Sequence, residues 1–228
     1  MKKLFLGLAI VSTSLAFAQQ TIEKEPVSFG IKAGGNASSF SEQKLGFNNL
    51  KAGYYAGVYA NIPLSTEFSI QPEVIYNELG SRNVVSSRDV VTDAVTANFR
   101  SEYRATLRYI SVPVMVQFKP ARNFYVEAGP EFSYFLSGKN TGEAKITTTV
   151  GNNTVTQVES TSSSIDKDDI NKLNFGLGLG LGYNFTPHLG INARYVNSLT
   201  HIYNSRLQNE TNSSPNNRVF QLGLNYKF

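Results

Sequence analysis

The sequence predicts an all-β protein, an eight-stranded antiparallel up-and-down barrel, and three observations support this fold class. Eight segments alternate apolar residues with polar or small ones, a period of two that is typical of strands lying between two different environments. The links between these segments are alternately short and long. Aromatic residues occupy the apolar face near both ends of the segments.

The composition favours strands and turns and excludes several kinds of site. A chain of 228 residues is long enough for one sizeable domain. It contains no cysteine, so disulfides, thiolate metal ligands and a cysteine nucleophile are excluded. Histidine is scarce, with only His188 and His201.

The first twenty residues, MKKLFLGLAIVSTSLAFAQQ, have the order of a secretory signal, with cleavage expected after Ala18. The predicted divisions are a signal peptide (1–18), a short periplasmic segment (19–26) and an outer-membrane β-barrel domain (27–228). Without Lys2 and Lys3, 19 basic residues remain against 17 acidic ones, a formal charge of +2. Because no stripe of Lys or Arg remains to neutralise phosphates, the sequence argues against a nucleic-acid binder.

Each of the first four segments has one apolar face. These faces carry Val27, Phe29, Ile31 and Ala33; Tyr54, Ala56, Val58, Ala60 and Ile62; Phe68, Ile70, Val74 and Tyr76; and Ile110, Val112, Val114, Val116 and Phe118. Small or polar residues such as Lys32, Glu73 and Gln117 stand between them. The alternation predicts four strands.

The last four segments follow the same pattern. Their apolar faces carry Phe124, Val126, Ala128, Phe132 and Tyr134; Phe175, Leu177, Leu179 and Leu181; Leu189, Ile191, Ala193 and Tyr195; and Phe220, Leu222, Leu224, Tyr226 and Phe228. The sixth segment is unusual because four glycines form its other face: Gly176, Gly178, Gly180 and Gly182.

The connections predict how the strands are arranged in a membrane. The short links lie near 63–65, 120–122 and 186–188, and the long polar links near 36–50, 80–104, 138–170 and 200–217. An even number of antiparallel strands with short turns at one end and long loops at the other is the layout of an outer-membrane barrel. In such barrels the short turns face the periplasm and the long loops face outside.

The direction of the apolar face separates this barrel from a soluble, lipocalin-like one with an apolar interior. Eight strands enclose just enough space for side chains, and this face carries too many bulky residues to fit inside. The aromatic residues agree, since rings at two depths are what the two membrane interfaces select. The lower ring contains Phe68, Phe118, Phe124, Phe185, Tyr226 and Phe228, and the upper ring Tyr54, Tyr76, Tyr134, Phe175 and Tyr195.

Three prolines interrupt the strand patterns: Pro72, Pro113 and Pro130. Proline cannot donate a ladder hydrogen bond. By parity Pro72 and Pro130 face lipid and Pro113 faces the lumen. We expect a bulge or locally broken pairing at these positions.

The glycine face of the sixth segment leaves room for long side chains in a narrow lumen. The fifth strand carries Glu127 and Glu131 inward and the seventh carries Arg194, so these charges can meet across the glycines. Lys32 and Glu73 are predicted at the same depth. Because buried charges persist only when paired, the sequence predicts a lumen charge network of these five residues and a plugged interior.

Several stretches resemble the porin-family, PorT-type outer-membrane β-barrel proteins of Bacteroidetes, small barrels of the OmpX and OmpA kind. They are FGIKAGGNASSF (29–40), FSIQPEVIYNELG (68–80), RYISVPVMVQF (108–118), FYVEAGPEFSYFLSGK (124–139) and FQLGLNYKF (220–228). The resemblance implies insertion among outer-membrane lipids. It also implies recognition of the C-terminal strand, which ends at Phe228, by the barrel-assembly machinery.

The sequence favours a structural or surface-interaction role. His201, with Ser198 before it and Glu210 after it, lacks a spacing that shows a hydrolase, and the acids at 166–169 lack the pattern of a calcium loop. We therefore predict no catalytic residues, no metal site and no cofactor. The segment TTTVGNNTVTQVESTSSS (147–164) predicts a hairpin extending the fifth and sixth strands, where an extracellular glycan or protein could bind. The alternatives are a narrow porin-like channel for small solutes, a lipid hydrolase and a secretion-system component.

Overall fold

The described residues form nine β-strands. The structure is a computed structural model that describes residues 26–43, 49–92, 95–205 and 214–228. The strands are β1 (Ser28–Phe40), β2 (Lys51–Pro63), β3 (Phe68–Thr92), β4 (Val95–Ala121), β5 (Phe124–Val150), β6 (Asn153–Ile165), β7 (Leu173–Asn184), β8 (Leu189–Ser198) and β9 (Asn217–Lys227). The expected signal peptide and residues 19–25 of the periplasmic segment lie outside the described residues. Within the described ranges, no helix has both the length and the apolar character needed to cross a membrane.

Eight of the strands close into a ring. In the order β1, β2, β3, β4, β5, β7, β8 and β9, each pairs antiparallel with the next, and β9 returns to β1. The closing ladder runs from Gly30 opposite Lys227 to Phe40 opposite Asn217. This arrangement confirms the predicted eight-stranded antiparallel barrel, and it gives every wall strand a hydrogen-bonding neighbour on both sides.

The apolar faces of the wall strands point outward. Leu177, Leu179 and Leu181 are 50%, 66% and 51% exposed, whereas Arg194 on the neighbouring strand is 3% exposed. The aromatic residues of both predicted rings lie on the same outer surface, where Phe68 and Phe118 pack with ring centroids 5.0 Å apart. The barrel therefore presents an apolar belt on its outer surface and encloses a mainly polar interior.

Strand pairing is interrupted beside each of the three prolines, as predicted. The β3–β4 ladder has no pairs between Pro72 opposite Val114 and Ile75 opposite Ser111. The β4–β5 ladder stops at Pro113 and resumes at Val116. In the second gap Pro130 faces the interrupted part of β4. Proline removes a ladder donor, so the loss of regular pairing is local to these positions.

The long links at 80–104 and 138–170 are not the loops that the sequence predicts. β3 and β4 continue as paired strands up to Thr92 opposite Val95, and β5 continues to Val150, opposite Val95 on one side and Asn153 of β6 on the other. We call the outer parts of three strands, together with β6, the arm. These parts are residues 81–92 of β3, 95–105 of β4 and 139–150 of β5. The β5–β6 hairpin confirms the hairpin predicted for 147–164, but β6 is a ninth strand that ends before β7 begins.

Two glycines have backbone conformations that the arm requires. Gly80, at the base of the arm, has a φ of 144°, and a Cβ there would lie 1.9 Å from the carbonyl oxygen of Ala105. Gly151, in the turn between β5 and β6, has a φ of 59°. Because L-residues with side chains rarely adopt positive φ, glycine allows both the backbone conformation at the base of the arm and the tight turn between β5 and β6.

A charge on the exposed belt tests the outward direction of the apolar face. We expect Leu179→Arg to lower the free energy of unfolding in lipid bilayers by about 2–4 kcal/mol, since Leu179 lies midway between the aromatic rings. Urea unfolding monitored by tyrosine fluorescence measures the change. The control Thr156→Arg, on the exposed arm, should change stability by no more than about 0.5 kcal/mol. Equal effects of the two substitutions would contradict the orientation.

Candidate functional site

Four of the five predicted lumen charges form one ion-paired cluster at mid-depth. The guanidinium Nη2 of Arg194 lies 2.7 Å from Glu73 Oε1 and 2.6 Å from Glu127 Oε1. The ammonium group of Lys32 lies 3.1 Å from Glu73 Oε1. All four side chains are buried, and two cations face two carboxylates, so the cluster is electrically balanced. We call these four residues the charge cluster.

The glycines of β7 let this cluster form. Arg194 on β8 reaches Glu127 on β5 across β7, which separates the two strands. A Cβ at Gly180 would lie 2.9 Å from Glu127 Oε1, and a Cβ at Gly182 would lie 2.2 Å from the ring of Tyr125. A side chain at either position would displace a residue that now fills the lumen, which explains the glycines on this face.

Glu131 is not ion-paired. It lies four residues above Glu127 on β5, about 13 Å along the strand. One carboxylate oxygen accepts a hydrogen bond from the hydroxyl of Ser133 at 3.3 Å, and the other, Oε2, has no hydrogen-bond partner in the described part of the chain. The structure therefore places Glu131 beside the predicted network rather than within its ion pairs.

A layer of amide and hydroxyl groups lies below the charge cluster. Gln71 donates to Glu73 at 2.8 Å, and Gln117 donates to Glu127 at 3.0 Å. Asn61 joins the layer by donating to the side-chain oxygens of both glutamines. These residues lie on the polar faces that the sequence predicts. Gln71 is two residues from Glu73 on β3, and Gln117 lies directly opposite Glu127, so their positions are the signal that could have assigned them to the network.

An apolar cluster lies in the upper part of the barrel, above the charges. We call it the cap; it contains Leu79, Leu107, Tyr109, Phe135, Ile170, Val196, Ile202 and Val219. Ile170 and Ile202 come from connections outside the wall, and an isolated bridge pairs Ile170 with Tyr203 across the barrel mouth. The cap is a feature that the sequence pattern did not predict. Its signal is the single isoleucine in each of two polar segments, DKDDINK and THIYNS.

Ser198 and His201, the two described residues weighed for catalysis, bond to different partners. His201 Nδ1 lies 2.7 Å from Asn216 Oδ1, while the hydroxyl of Ser198 donates to Asn174 at 2.8 Å. Glu210 lies outside the described residues. Among the residues whose positions are described, no group of three or more His, Cys, Asp or Glu side chains could hold a metal ion.

A cleft of about 410 Å³ lies where the inner face of the arm, which continues the lumen side of the wall, meets the barrel mouth. Tyr103, which is 59% exposed, and Tyr203 line it together with the amides of Asn83 and Asn140. Exposed aromatic rings beside a few amide and hydroxyl groups are features of ligand-binding clefts. This cleft is the largest candidate binding surface of the arm that we describe.

Removal of the central guanidinium tests the charge cluster. Arg194→Met leaves Glu73 and Glu127 buried without their shared partner, so we expect the free energy of unfolding to fall by about 3–5 kcal/mol. The midpoint of urea unfolding in bilayers measures this loss. Arg122→Met, in an exposed turn, serves as the control and should have an effect within about 0.5 kcal/mol. A loss below about 1 kcal/mol for Arg194→Met would show that the cluster does not hold the barrel together.

Comparison with solved structures finds small outer-membrane barrels at low sequence identity. Ail, the attachment invasion locus protein of Yersinia pestis, is 16% identical, with 91% of this chain and 100% of that chain covered and a TM-score of 0.41. Neisserial surface protein A is 14% identical, with 90% and 100% covered and a TM-score of 0.43. The N-terminal β-barrel domain of Pseudomonas aeruginosa OprF is 13% identical, with 88% and 97% covered and a TM-score of 0.37.

A family model identifies the chain. No curated protein matches the sequence significantly. The model described as "Outer membrane protein beta-barrel domain" matches residues 17–204, which is well over half of the chain. The closed ring with its exposed apolar belt is the architecture that such a domain requires. The protein is therefore a member of the outer membrane protein β-barrel domain family and resides in the outer membrane.

Proposed function

We propose that this barrel is a non-enzymatic surface-interaction protein, which anchors the arm in the outer membrane and presents it outside the cell. The arm is the observation that carries the proposal. Four strands continue or add to the wall well beyond the upper aromatic ring, although the barrel closes without them. Polar residues dominate β6, which is exposed along nearly its whole length and pairs with β5 alone among the described strands.

The cleft gives the arm a plausible place for a partner. Tyr103 and Tyr203 offer aromatic faces, and Asn83 and Asn140 offer both donors and acceptors. This combination suits an extracellular glycan or a polar protein segment. The lipids of the outer membrane are the partners of the barrel wall.

The lumen supports a plugged barrel rather than a channel. The charge cluster, the amide layer and the cap occupy successive depths of the interior. The lumen contains a cavity of about 50 Å³ near the short-turn end and one of about 10 Å³ beneath the cap. Since about 10–15 Å³ of such space holds one water molecule, cavities of this size support an interior that is closed to solutes of metabolite size.

We also propose a narrower family, recognition by the barrel-assembly machinery and a signal peptide for this chain. The quoted motifs support membership of the PorT-type porin family, and they would place the protein in a Gram-negative bacterium of the Bacteroidetes. Phe228 follows β9 and is 69% exposed, with its N–H donating to the carbonyl of Phe29 at 2.9 Å. An exposed terminal aromatic on a paired strand is suited to recognition by the barrel-assembly machinery. Residues 1–18 are proposed as the signal peptide that directs export.

Planar-bilayer recording tests the plugged lumen. We expect the refolded protein to give no steady conductance, because the charge cluster and the cap must both move before ions can pass. An open porin inserted in the same bilayer serves as the positive control. Steady current steps whose size changes in Arg194→Met would contradict the plug and favour the narrow channel instead.

Shortening the arm tests the surface-interaction role. Lys139 and Ser164 lie opposite each other on β5 and β6, so residues 140–163, which include the part of the cleft that these two strands supply, can be replaced by an Asn-Gly turn without disturbing the lower rungs. We expect this variant to fold but to lose binding of an outer-membrane polysaccharide or of a surface protein, measured with immobilised barrel.

Two point variants localise that binding on the arm. Tyr103→Ala, in the cleft, should weaken binding at least about tenfold, in the range found for aromatic hot spots. Val158→Ala, on the opposite face of β6, should leave binding unchanged. Full binding by the shortened arm would contradict the proposed function, whatever partner is used.

A further inference from the structure

The outer face of the barrel changes abruptly from apolar to basic just beyond the upper aromatic ring. Tyr76, Ile110 and Tyr134 stand at one level on β3, β4 and β5, where Ile110 lies opposite both tyrosines. Tyr54 extends this level onto β2, with its ring centroid 5.9 Å from that of Tyr76. The next outward-facing rung carries Glu78 and Arg108 instead of apolar residues.

Cations outnumber carboxylates on the outer face above this level. Among the residues whose side chains the structure describes, the register of β3, β4 and β5 places six cations on it, namely Arg82, Arg100, Arg104, Arg108, Lys139 and Lys145, and three carboxylates, namely Glu78, Glu102 and Glu143. The whole chain has only a small net charge. The excess of positive charge is therefore a local property of this surface, which we call the basic face.

The register of the basic face sets like charges opposite each other. Arg82 lies directly opposite Arg104, and Arg100 lies directly opposite Lys145. Such pairs destabilise an antiparallel sheet. The repulsion between these like charges lowers the stability of the sheet, and an anion bound between the strands would reduce that repulsion.

The carboxylates of the basic face orient the arginines without neutralising them. Glu102 accepts hydrogen bonds from Arg82 Nε at 2.7 Å and Arg104 Nη2 at 2.8 Å, with Arg100 Nη2 at 3.8 Å. The hydrogen bond from Arg82 lowers the pKa of the Glu102 carboxyl, so Glu102 stays ionised at neutral pH. Glu78 is likewise shared, by Arg108 at 3.3 Å and Lys51 at 3.1 Å. Each carboxylate serves more than one cation, and positive charge is left over.

Lys139 completes an open group of three cations. It lies opposite Thr106 on β4 and is therefore diagonal to both Arg104 and Arg108, about 7–8 Å from each. Lys139 is exposed, and no carboxylate of the described residues lies within ion-pair distance of it. The side chains of Arg104 and Arg108 are 49% and 39% exposed. Three exposed cations at this spacing can converge on one phosphate group.

We propose that the basic face binds the phosphate groups of outer-leaflet lipid headgroups through Arg104, Arg108 and Lys139. Continuity with the lipid-facing belt is the main argument. Each rung of two residues advances about 7 Å along a tilted strand, so these residues stand within the first three rungs beyond the aromatic level. The headgroup region begins where the hydrocarbon ends, and it is therefore the first anionic layer that these side chains meet.

Lipid retention from mixed bilayers tests this proposal. The mature protein is reconstituted with equal amounts of lipid A carrying both phosphates and lipid A from which the phosphates have been removed, in a zwitterionic matrix. Native mass spectrometry then measures the ratio of the two lipids that remain bound. We expect the phosphorylated form to be enriched at least about fivefold, since each cation near an anionic surface contributes measurably. The enrichment should fall as salt is raised.

A matched pair of triple variants assigns the enrichment to the basic face. Arg104→Gln, Arg108→Gln and Lys139→Gln together should bring the ratio close to one. The control, with Lys119→Gln, Arg122→Gln and Lys227→Gln at the short-turn end, removes the same charge and should keep the enrichment. Heat-modifiable electrophoretic mobility shows that each variant is folded before it is measured.

Three outcomes would overturn the proposal. The wild-type protein could retain both lipids equally, or the basic-face variant could keep its enrichment. Alternatively, an acidic peptide could bind the basic face while phosphorylated lipid does not, and the surface would then serve a protein partner instead.

Discussion

Closure of the β-sheet is the constraint on which the rest of this structure depends. Hydrocarbon offers no hydrogen-bonding partner to a backbone N–H or C=O group, so a strand that crosses the membrane must have a neighbour on each side. The pairing of β9 with β1 meets this requirement. Pro72, Pro113 and Pro130 disturb the ladders only locally, so the wall tolerates their missing donors. Because successive side chains of a strand point to opposite faces, closure of the wall also decides which side chains face the lumen and which face lipid.

A closed wall of eight strands leaves little interior volume, and the lumen is built accordingly. Glycines on β7 leave the space that Arg194 and Glu127 need to meet, and Tyr125 fills the space beside Gly182. Desolvation of charges is costly, and the balanced pairing of two cations with two carboxylates offsets it. Glu131 has no such partner among the described residues, and the hydroxyl of Ser133 donates to one of its carboxylate oxygens. Size and charge balance together decide what this interior contains.

The period of two in the sequence was sufficient to predict the strands of the barrel wall. It was not sufficient to predict the arm or the cap. Alternation fixed which residues of each wall strand face inward, including Lys32, Glu73 and Arg194. It failed at 80–104 and 138–170, where polar composition suggested loops, because Thr and Ser stabilise solvated strands as well as loops when a neighbouring strand is present. The cap was missed for a different reason. The single isoleucine in each polar segment indicates a buried side chain, but only the folded chain determines that Ile170 and Ile202 belong to the same cluster.

The unbroken course of β4 from the membrane to the tip of the arm determines the mechanics of the surface. The fifteen residues from Val95 to Tyr109 extend about 50 Å along the strand from the aromatic level. They are hydrogen-bonded to β3 and β5 over most of that length, so the arm is a rigid extension of the barrel wall. The position of the tip relative to the barrel is therefore set by continuous strand pairing, and any force on the tip is transmitted through that pairing to the barrel wall.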